Sequence, residues 1–76
     1  MKLTSNQGVI NAFVNQSSER TESHNHNLRY DPDFGKLVNY QTTIARWENG
    51  YIWMDARKFS RTTSKIQTML RRTANI

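Results

Sequence analysis

Four apolar residues near the start of the chain recur at spacings of three and four: Val9, Ile10, Phe13 and Val14. This spacing places their side chains on one face of an α-helix. Ser5 or Asn6 precedes them, and either side chain can cap a helix by accepting a hydrogen bond from its free N–H groups. The pattern predicts a short amphipathic helix over residues 6–18, although alternation along the segment leaves a strand open as the alternative.

Residues 17–27, with the sequence SSERTESHNHN, contain no aliphatic or aromatic side chain. A segment of this composition buries too little apolar surface to offset the entropy lost on ordering. We therefore expect a solvated, mobile loop here. A short strand over 28–30 and a turn at Asp31-Pro32-Asp33 follow, and Gly35 permits a sharp bend after the turn.

Two later segments, residues 37–47 and 51–59, are rich in the β-branched and aromatic residues that favour strands. The Asn49-Gly50 pair between them predicts a hairpin, because a type I′ turn needs positive φ at both central positions. A turn of two residues also fixes the register of the hairpin. Trp47 should then face Ile52, and Arg46 should face Trp53.

Alternation along the two strands divides the hairpin into two faces. The face expected to join the core carries Leu37, Ala45, Trp47, Ile52, Met54 and Ala56. The other face interleaves aromatic residues with arginines: Val38, Tyr40, Ile44, Arg46, Tyr51, Trp53, Arg57 and Phe59. The sequence leaves open whether the N-terminal helix covers this mixed face.

The last segment predicts a second helix, capped by Ser60 or Thr62 and ending near Ala74. At about 100° per residue, one side of this helix collects a core stripe: Thr62, Ile66, Met69, Leu70 and Thr73. The opposite side collects a cationic stripe flanked by Arg71: Arg61, Lys65, Thr68 and Arg72. Together the elements predict one α+β domain over 1–76. It has a short N-terminal helix, a three-stranded antiparallel sheet with the Asn-Gly hairpin, and a C-terminal amphipathic basic helix.

Composition adds a strong charge bias, with 11 Lys and Arg against 6 Asp and Glu, a net charge of +5 and a pI of about 10.1. Such a balance favours anionic partners such as nucleic acid, an acidic protein surface or a lipid headgroup, although a basic bias without function is the alternative. The chain has no cysteine, which excludes disulfides and thiolate sites. It also has no long apolar run and no hydrophobic leader, so we expect a protein of the reducing cytoplasm, not of a membrane.

Cations at the C-terminal end of a helix complement its dipole, which accounts for Arg71 and Arg72. Arg61 and Lys65 stand near the positive end, where the dipole disfavours them, so they favour an anionic partner. Hydroxyl residues beside them could add donors to a phosphate, or could serve only as caps. The predicted nucleic-acid or anion site is therefore Arg61, Lys65, Arg72, Arg71, Ser60 and Thr63, with Arg46, Arg57, Tyr51 and Trp53 as secondary contacts.

The secondary group has two interpretations. Arg46 opposite Trp53 can be a structural cation–π pair, worth about 0.5–1 kcal/mol at an exposed site. Alternatively, Tyr51, Trp53 and Tyr40 can form a platform on which unpaired bases stack. Two further motifs resemble reactive sites: Asp33-Phe34-Gly35 is interpreted as a turn, and His24-Asn25-His26 as part of a polar loop. We expect no enzyme activity, no metal and no cofactor.

The hairpin and last helix share a recurring pattern, Leu-x-x-Tyr-x-Thr-x-Ile-Ala and then aromatic-Ser-x-Thr-Thr-Ser-Lys/Arg. In this chain it runs through Leu37, Tyr40, Thr42, Ile44, Ala45, Phe59, Ser60, Thr62, Thr63, Ser64, Lys65 and Gln67. It resembles that of small phage and plasmid proteins, most of them without an assigned function. Ile66 stands where many of those proteins have His. The resemblance implies a phage origin, and hence the host cytoplasm, more firmly than any activity.

Three functions follow as hypotheses. The first is a non-catalytic accessory protein that binds nucleic acid, or a host complex that handles nucleic acid, through the cationic helix face. The second is a phage protein that inhibits a host defence enzyme or another host enzyme by protein–protein contact, with the sheet aromatics as its main contacts. The third is a homodimer that completes its own core.

Overall fold

The computed structural model describes residues 1–55 and 61–75. In these ranges the chain forms six strands and two helices: β1 (Lys2–Thr4), α1 (Asn6–Val14), β2 (Thr21–Ser23), β3 (Leu28–Asp31), β4 (Lys36–Asn39), β5 (Thr42–Glu48), β6 (Tyr51–Met54) and α2 (Arg61–Ala74). The strands form one sheet in chain order, from β1 at one edge to β6 at the other. β1 pairs with β2 in parallel, and every other neighbouring pair is antiparallel.

The predicted three-stranded antiparallel sheet is wrong, because the described sheet has six strands and is mixed. Part of the difference lies in residues 37–47, which were predicted as one strand. A two-residue turn at Tyr40 and Gln41 divides them into β4 and β5, and Asn39 pairs with Thr42 across it. Tyr40 takes φ of +56°, a left-handed conformation that is unusual for a bulky residue and that the sequence pattern does not signal.

The other missing strands, β1 and β2, flank α1 in a β-α-β crossover, the connection that parallel strands require. Ser5, one of the two predicted caps, is the N-cap of α1, and its Oγ accepts a 3.1 Å hydrogen bond from the Gly8 N–H. The helix ends at Val14, earlier than the predicted residue 18. Gly8 lies so close to β1 that an added Cβ would stand 2.3 Å from Thr4 Oγ1.

The predicted mobile loop over 17–27 is also wrong in part, because β2 lies inside it. Thr21 and Ser23 are buried there, and both hydroxyls have partners within the segment. Thr21 Oγ1 donates to the Glu19 carbonyl at 3.0 Å, and Ser23 Oγ donates to Asn25 Oδ1 at 2.7 Å. Local hydrogen bonds thus make burial possible without any aliphatic side chain, which is why composition alone failed here.

The Asn-Gly hairpin is confirmed with its predicted register, since Trp47 pairs with Ile52 and Arg46 with Trp53. Asn49 and Gly50 have φ of +53° and +82°, as a type I′ turn requires. The assignment of Ile44 to the mixed face is wrong. The β4–β5 register shifts between Leu37 and Val38, so Ile44 becomes an extra residue on β5 and is fully buried beside Ala45.

Both helices pack on one face of the sheet, which is called the inner face below. The core lies between the two helices and the inner face. It consists of Val9, Ile10, Phe13, Leu28, Tyr30, Leu37, Ile44, Ala45, Ile66 and Leu70. Trp47 also links β5 to α1, because its Nε1 donates a 2.8 Å hydrogen bond to the Phe13 carbonyl at the end of α1. Gln67 Nε2 likewise donates to the Asp55 carbonyl at 2.8 Å, which fixes α2 against the segment after β6.

Candidate nucleic-acid interface

α2 extends from Arg61 to Ala74, close to the predicted bounds, and separates a buried side from a basic side. Its buried residues are Thr63, Ile66, Gln67 and Leu70. The predicted core stripe was therefore correct in Ile66 and Leu70 but rotated, because Met69 and Thr73 are only partly buried while two polar residues lie inside. Thr63 and Gln67 were not assigned to the buried side, because a hydrophobic pattern does not reveal polar residues that are buried with hydrogen-bond partners.

The side of α2 that points away from the core is called the basic face, and its exposed members are Arg61, Ser64, Lys65, Thr68, Arg71 and Arg72. An open groove runs along this helix surface, lined by Arg61, Ser64, Lys65, Thr68, Met69 and Arg72. The structure thus brings together four of the predicted site residues: Arg61, Lys65, Arg71 and Arg72. Thr68 Oγ1 donates to the Ser64 carbonyl at 3.0 Å and can still accept hydrogen bonds from a ligand.

The positive charge of the protein is concentrated on this helix. Residues 61–74 contain four Lys and Arg and no Asp or Glu, a charge of +4. Residues 1–60 contain the other seven cations and all six acids, a charge of +1. The two parts add up to the net charge of +5, so the basic face carries most of the field that an anionic partner would meet.

The neighbouring helix α1 adds polar groups without charge. Its sequence, NQGVINAFV, contains no acidic and no basic residue. Gln7 and Asn11 are exposed, and Gln7 Nε2 donates both to Asn11 Oδ1 at 3.0 Å and to Thr73 Oγ1 of α2 at 2.8 Å. These amides were not among the predicted site residues, because amide residues on an amphipathic helix give no distinctive signal.

Thr63, predicted as a phosphate contact, is 5% exposed and faces the inner side of α2. Its Oγ1 donates a 2.6 Å hydrogen bond to Asn39 Oδ1 of β4. Its geometry therefore serves the packing of α2 against the sheet and not the basic face. Ser60 and Arg57, together with the predicted core residue Ala56 and the mixed-face residue Phe59, lie outside the described residues.

The secondary group lies on the outer face of the sheet, away from both helices. Trp53 and Tyr51 are 42% and 78% exposed there, so α1 does not cover them. The Arg46 guanidinium lies 4.7 Å from the centre of the Trp53 ring, and its Nε donates to Glu48 Oε2 at 3.1 Å. Arg46 therefore already contacts both Trp53 and Glu48. Tyr40 lies in the β4–β5 turn and does not join this group.

The outer face is also balanced in charge. Alternation and register direct three acids and three bases outward from β2 to β5: Glu22, Asp31, Glu48, Arg29, Lys36 and Arg46. Their charges sum to zero. The structure thus separates the predicted contacts into a cationic surface on α2 and a neutral aromatic surface on the far side of the sheet.

The two histidines lie in and near the turn between β2 and β3. His26 Nδ1 stands 3.4 Å from Glu22 Oε1, and this pair joins an exposed His26 side chain in the turn to a largely covered Glu22 side chain of β2. Within residues 1–55 and 61–75, no cluster of three or more His, Asp or Glu is arranged to hold a metal ion. Neither described helix is long and apolar enough to cross a membrane.

Comparison of the chain with protein-family models, with curated proteins and with solved structures gives no match. The resemblance to small phage proteins stays a prediction from the sequence pattern. The candidate site therefore depends on the chemistry and geometry of its own residues.

Proposed function

We propose that this protein is a small, non-catalytic accessory protein that binds nucleic acid through the basic face of α2. The proposal depends above all on one observation: an exposed helix side, directly opposite the core, carries +4 of the net charge of +5. Packing accounts for the buried side of α2 and gives no reason for this concentration of cations. A host complex that handles nucleic acid would meet the same surface through its bound strand.

The residue types of the basic face fit phosphate contacts. Arg and Lys supply charge, and Ser64 and Thr68 supply hydroxyls between them. Among the described residues of α2, no acid neutralises the cations through a salt bridge, whereas Arg20 and Arg46 elsewhere on the protein are both paired with carboxylates. Arg61, Lys65, Arg71 and Arg72 would thus bring unpaired charge to a ligand.

The test is a fluorescence-anisotropy titration of labelled nucleic acid over a range of salt. Each phosphate that the protein neutralises on duplex DNA steepens the log–log salt slope by about 0.9. Arg61→Gln with Lys65→Gln should weaken binding and lower this slope by about 2. The matched control, Lys2→Gln with Lys36→Gln, removes the same charge from β1 and β4 and should leave the slope close to that of the wild type.

Two results would contradict the proposal. One is the absence of binding to any nucleic acid at low salt by a folded protein. The other is an equal loss of affinity in the α2 variant and in its control, since a general charge effect needs no particular face. Circular dichroism and thermal unfolding of both variants establish that the fold is retained.

The outer face of the sheet favours a second candidate function, protein–protein contact. β6 is an edge strand of the described sheet, and its residues Tyr51–Met54 carry no charge, although edge strands commonly carry charges that prevent pairing. Exposed Trp and Tyr are the residues that dominate protein interfaces. The partner would be a host enzyme or a second copy of this chain.

Sedimentation velocity over a range of protein concentrations distinguishes self-association from a monomer. Tyr51→Ala with Trp53→Ala should abolish a dimer, or a complex with a host enzyme that persists at high salt. If neither self-association nor such a complex is lost in this variant, the outer face does not provide the contact.

A further inference from the structure

The basic face has the wrong side chains for holding a single strand. Proteins that bind single strands combine a cationic groove with aromatic side chains on which successive bases stack. α2, with the sequence RTTSKIQTMLRRTA, has no aromatic residue. Tyr51 and Trp53, which are exposed, lie on the opposite side of the sheet. A single strand on the basic face would thus gain phosphate contacts and no stacking.

The shape of α2 fits a wide groove instead. A helix with its side chains is about 10–12 Å across, and the major groove of B-form DNA is about 12 Å wide and about 8.5 Å deep. The 14 residues of α2 span about 21 Å at about 1.5 Å per residue. The major groove of an A-form RNA duplex is deep and narrow, so it does not admit such a helix.

A helix in that groove meets three surfaces: the base edges on the floor and the phosphates of one strand on each side. The residues of α2 fall into three matching sets around its axis. At about 100° per residue, the line pointing directly away from the core carries Arg61, Lys65, Thr68 and Arg72. Ser64 and Arg71 lie on one flank of this line. Met69 and Thr73 lie on the other flank, where Thr73 contacts Gln7 of α1.

We propose, as a refinement that rests on the function proposed above, that the ligand is B-form duplex DNA with α2 in its major groove. The central line of cations and Thr68 faces the floor of the groove, where Arg and Lys pair with the acceptors of guanine while their charges still neutralise the phosphates on the groove walls. Ser64 and Arg71 contact the phosphates of one strand. Asn11 of α1 lies beside the other strand, where its amide N–H groups can donate to phosphate oxygens, and Gln7 orients this amide by donating to Asn11 Oδ1.

The first measurement compares three probes in competition at one salt concentration: duplex DNA, its single strand and an RNA duplex of the same sequence. We expect duplex DNA to bind at least tenfold more tightly than the other two. Equal or tighter binding of the single strand or of the RNA duplex overturns the duplex proposal. It leaves the proposed function intact as long as Arg61→Gln with Lys65→Gln still lowers the salt slope.

The second measurement identifies the groove. A duplex whose cytosines carry a glucosylated 5-hydroxymethyl group has its major groove filled and its backbone charge unchanged. We expect at least a tenfold loss of affinity for this duplex and no loss when netropsin occupies the minor groove of the unmodified one. The reverse result, or equal affinity for all three forms, overturns insertion in the major groove.

Discussion

The Thr63 hydroxyl donates a 2.6 Å hydrogen bond to Oδ1 of Asn39, and this contact joins the first turn of α2 to the end of β4. Asn39 is 3% exposed, and its Nδ2 donates in turn to the Asn27 carbonyl at 3.0 Å. A chain of buried hydrogen bonds therefore runs from the helix through the sheet to the turn before β3. This chain holds α2 in the orientation that exposes the basic face.

Thr63→Val should destabilise the protein by about 1–3 kcal/mol, because it leaves the buried Asn39 Oδ1 without this donor. Urea unfolding at neutral pH measures the loss. Thr68→Val is the matched control, since it makes the same chemical change at an exposed position of α2 and should alter stability little. Thr63→Val should not change the nucleic-acid affinity of the folded fraction, and a specific loss of affinity would return Thr63 to the binding site.

Tyr30 should make the free energy of unfolding depend on pH in the alkaline range. Its hydroxyl donates a 2.6 Å hydrogen bond to the Ser17 carbonyl, and burial together with the charge of Asp31 raises the pKa of Tyr30. The folded protein then keeps this proton at pH values where the unfolded chain releases it. The stabilisation is complete below the unfolded pKa of about 10 and is lost as the pH rises through the folded pKa.

Tyr30→Phe should therefore lower the free energy of unfolding by about 1 kcal/mol at pH 7 and flatten its decline above pH 10. Urea titrations at pH 7–11 measure both effects. Tyr51→Phe, at a side chain that is 78% exposed, is the control and should follow the wild-type curve. An unchanged alkaline limb in Tyr30→Phe would show that other groups produce it.

Gly8→Ala should destabilise the protein even though alanine is the better helix former. Ala gains about 1 kcal/mol in helix propensity, whereas overpacking costs about 1–3 kcal/mol. The new methyl would lie 2.3 Å from Thr4 Oγ1 and 2.6 Å from its Cγ2. Thermal unfolding should show a loss that Thr4→Ala partly reverses in the double variant. A stabilised single variant would mean that β1 moves away at no cost.

Tyr40→Asn should stabilise the protein by up to about 1 kcal/mol, because a left-handed backbone costs an ordinary residue about 1–2 kcal/mol and Asn tolerates it. Tyr40 is 50% exposed, so little apolar burial is lost. The hydrogen bonds of its backbone, to Asn27 and to the Arg29 guanidinium, do not depend on its side chain. Tyr51→Asn, on a strand, should give no such gain. If Tyr40→Asn does not raise the unfolding midpoint, the aromatic ring stabilises the turn by contacts that offset the strain.

Residues with strong local signals were predicted well. Asn49-Gly50 fixes a turn by backbone conformation alone, and Ser5 caps a helix by a bond within one turn. The exposure of the cations of α2 also follows from helical geometry. Ile66 and Leu70 are buried, so the opposite side of the helix faces solvent. The prediction succeeded wherever the decisive contacts are close in sequence.

The failures depend on contacts that are distant in sequence or polar. β1 is held by a parallel partner, β2, that lies beyond a whole helix, so no local pattern predicts it. Ile44 changes face because of a bulge against β4, and the alternation rule assumes that no bulge exists. A polar side chain such as that of Thr63 is expected to face solvent, but its hydrogen bond to Asn39 places it in the core. In each case a tertiary contact overrides the pattern.

The separation of charge across the sheet has a kinetic consequence. With +4 on α2 and charges that cancel on the outer face of β2 to β5, the described residues carry their excess positive charge on the helix side of the sheet. If the protein binds nucleic acid as proposed, the field of that polyanion would turn it as it diffuses, so that the helix side would arrive first and the association rate would fall as salt screens the field. In that bound orientation Tyr51 and Trp53, on the opposite side of the sheet, would face the solution and would stay accessible to a second partner.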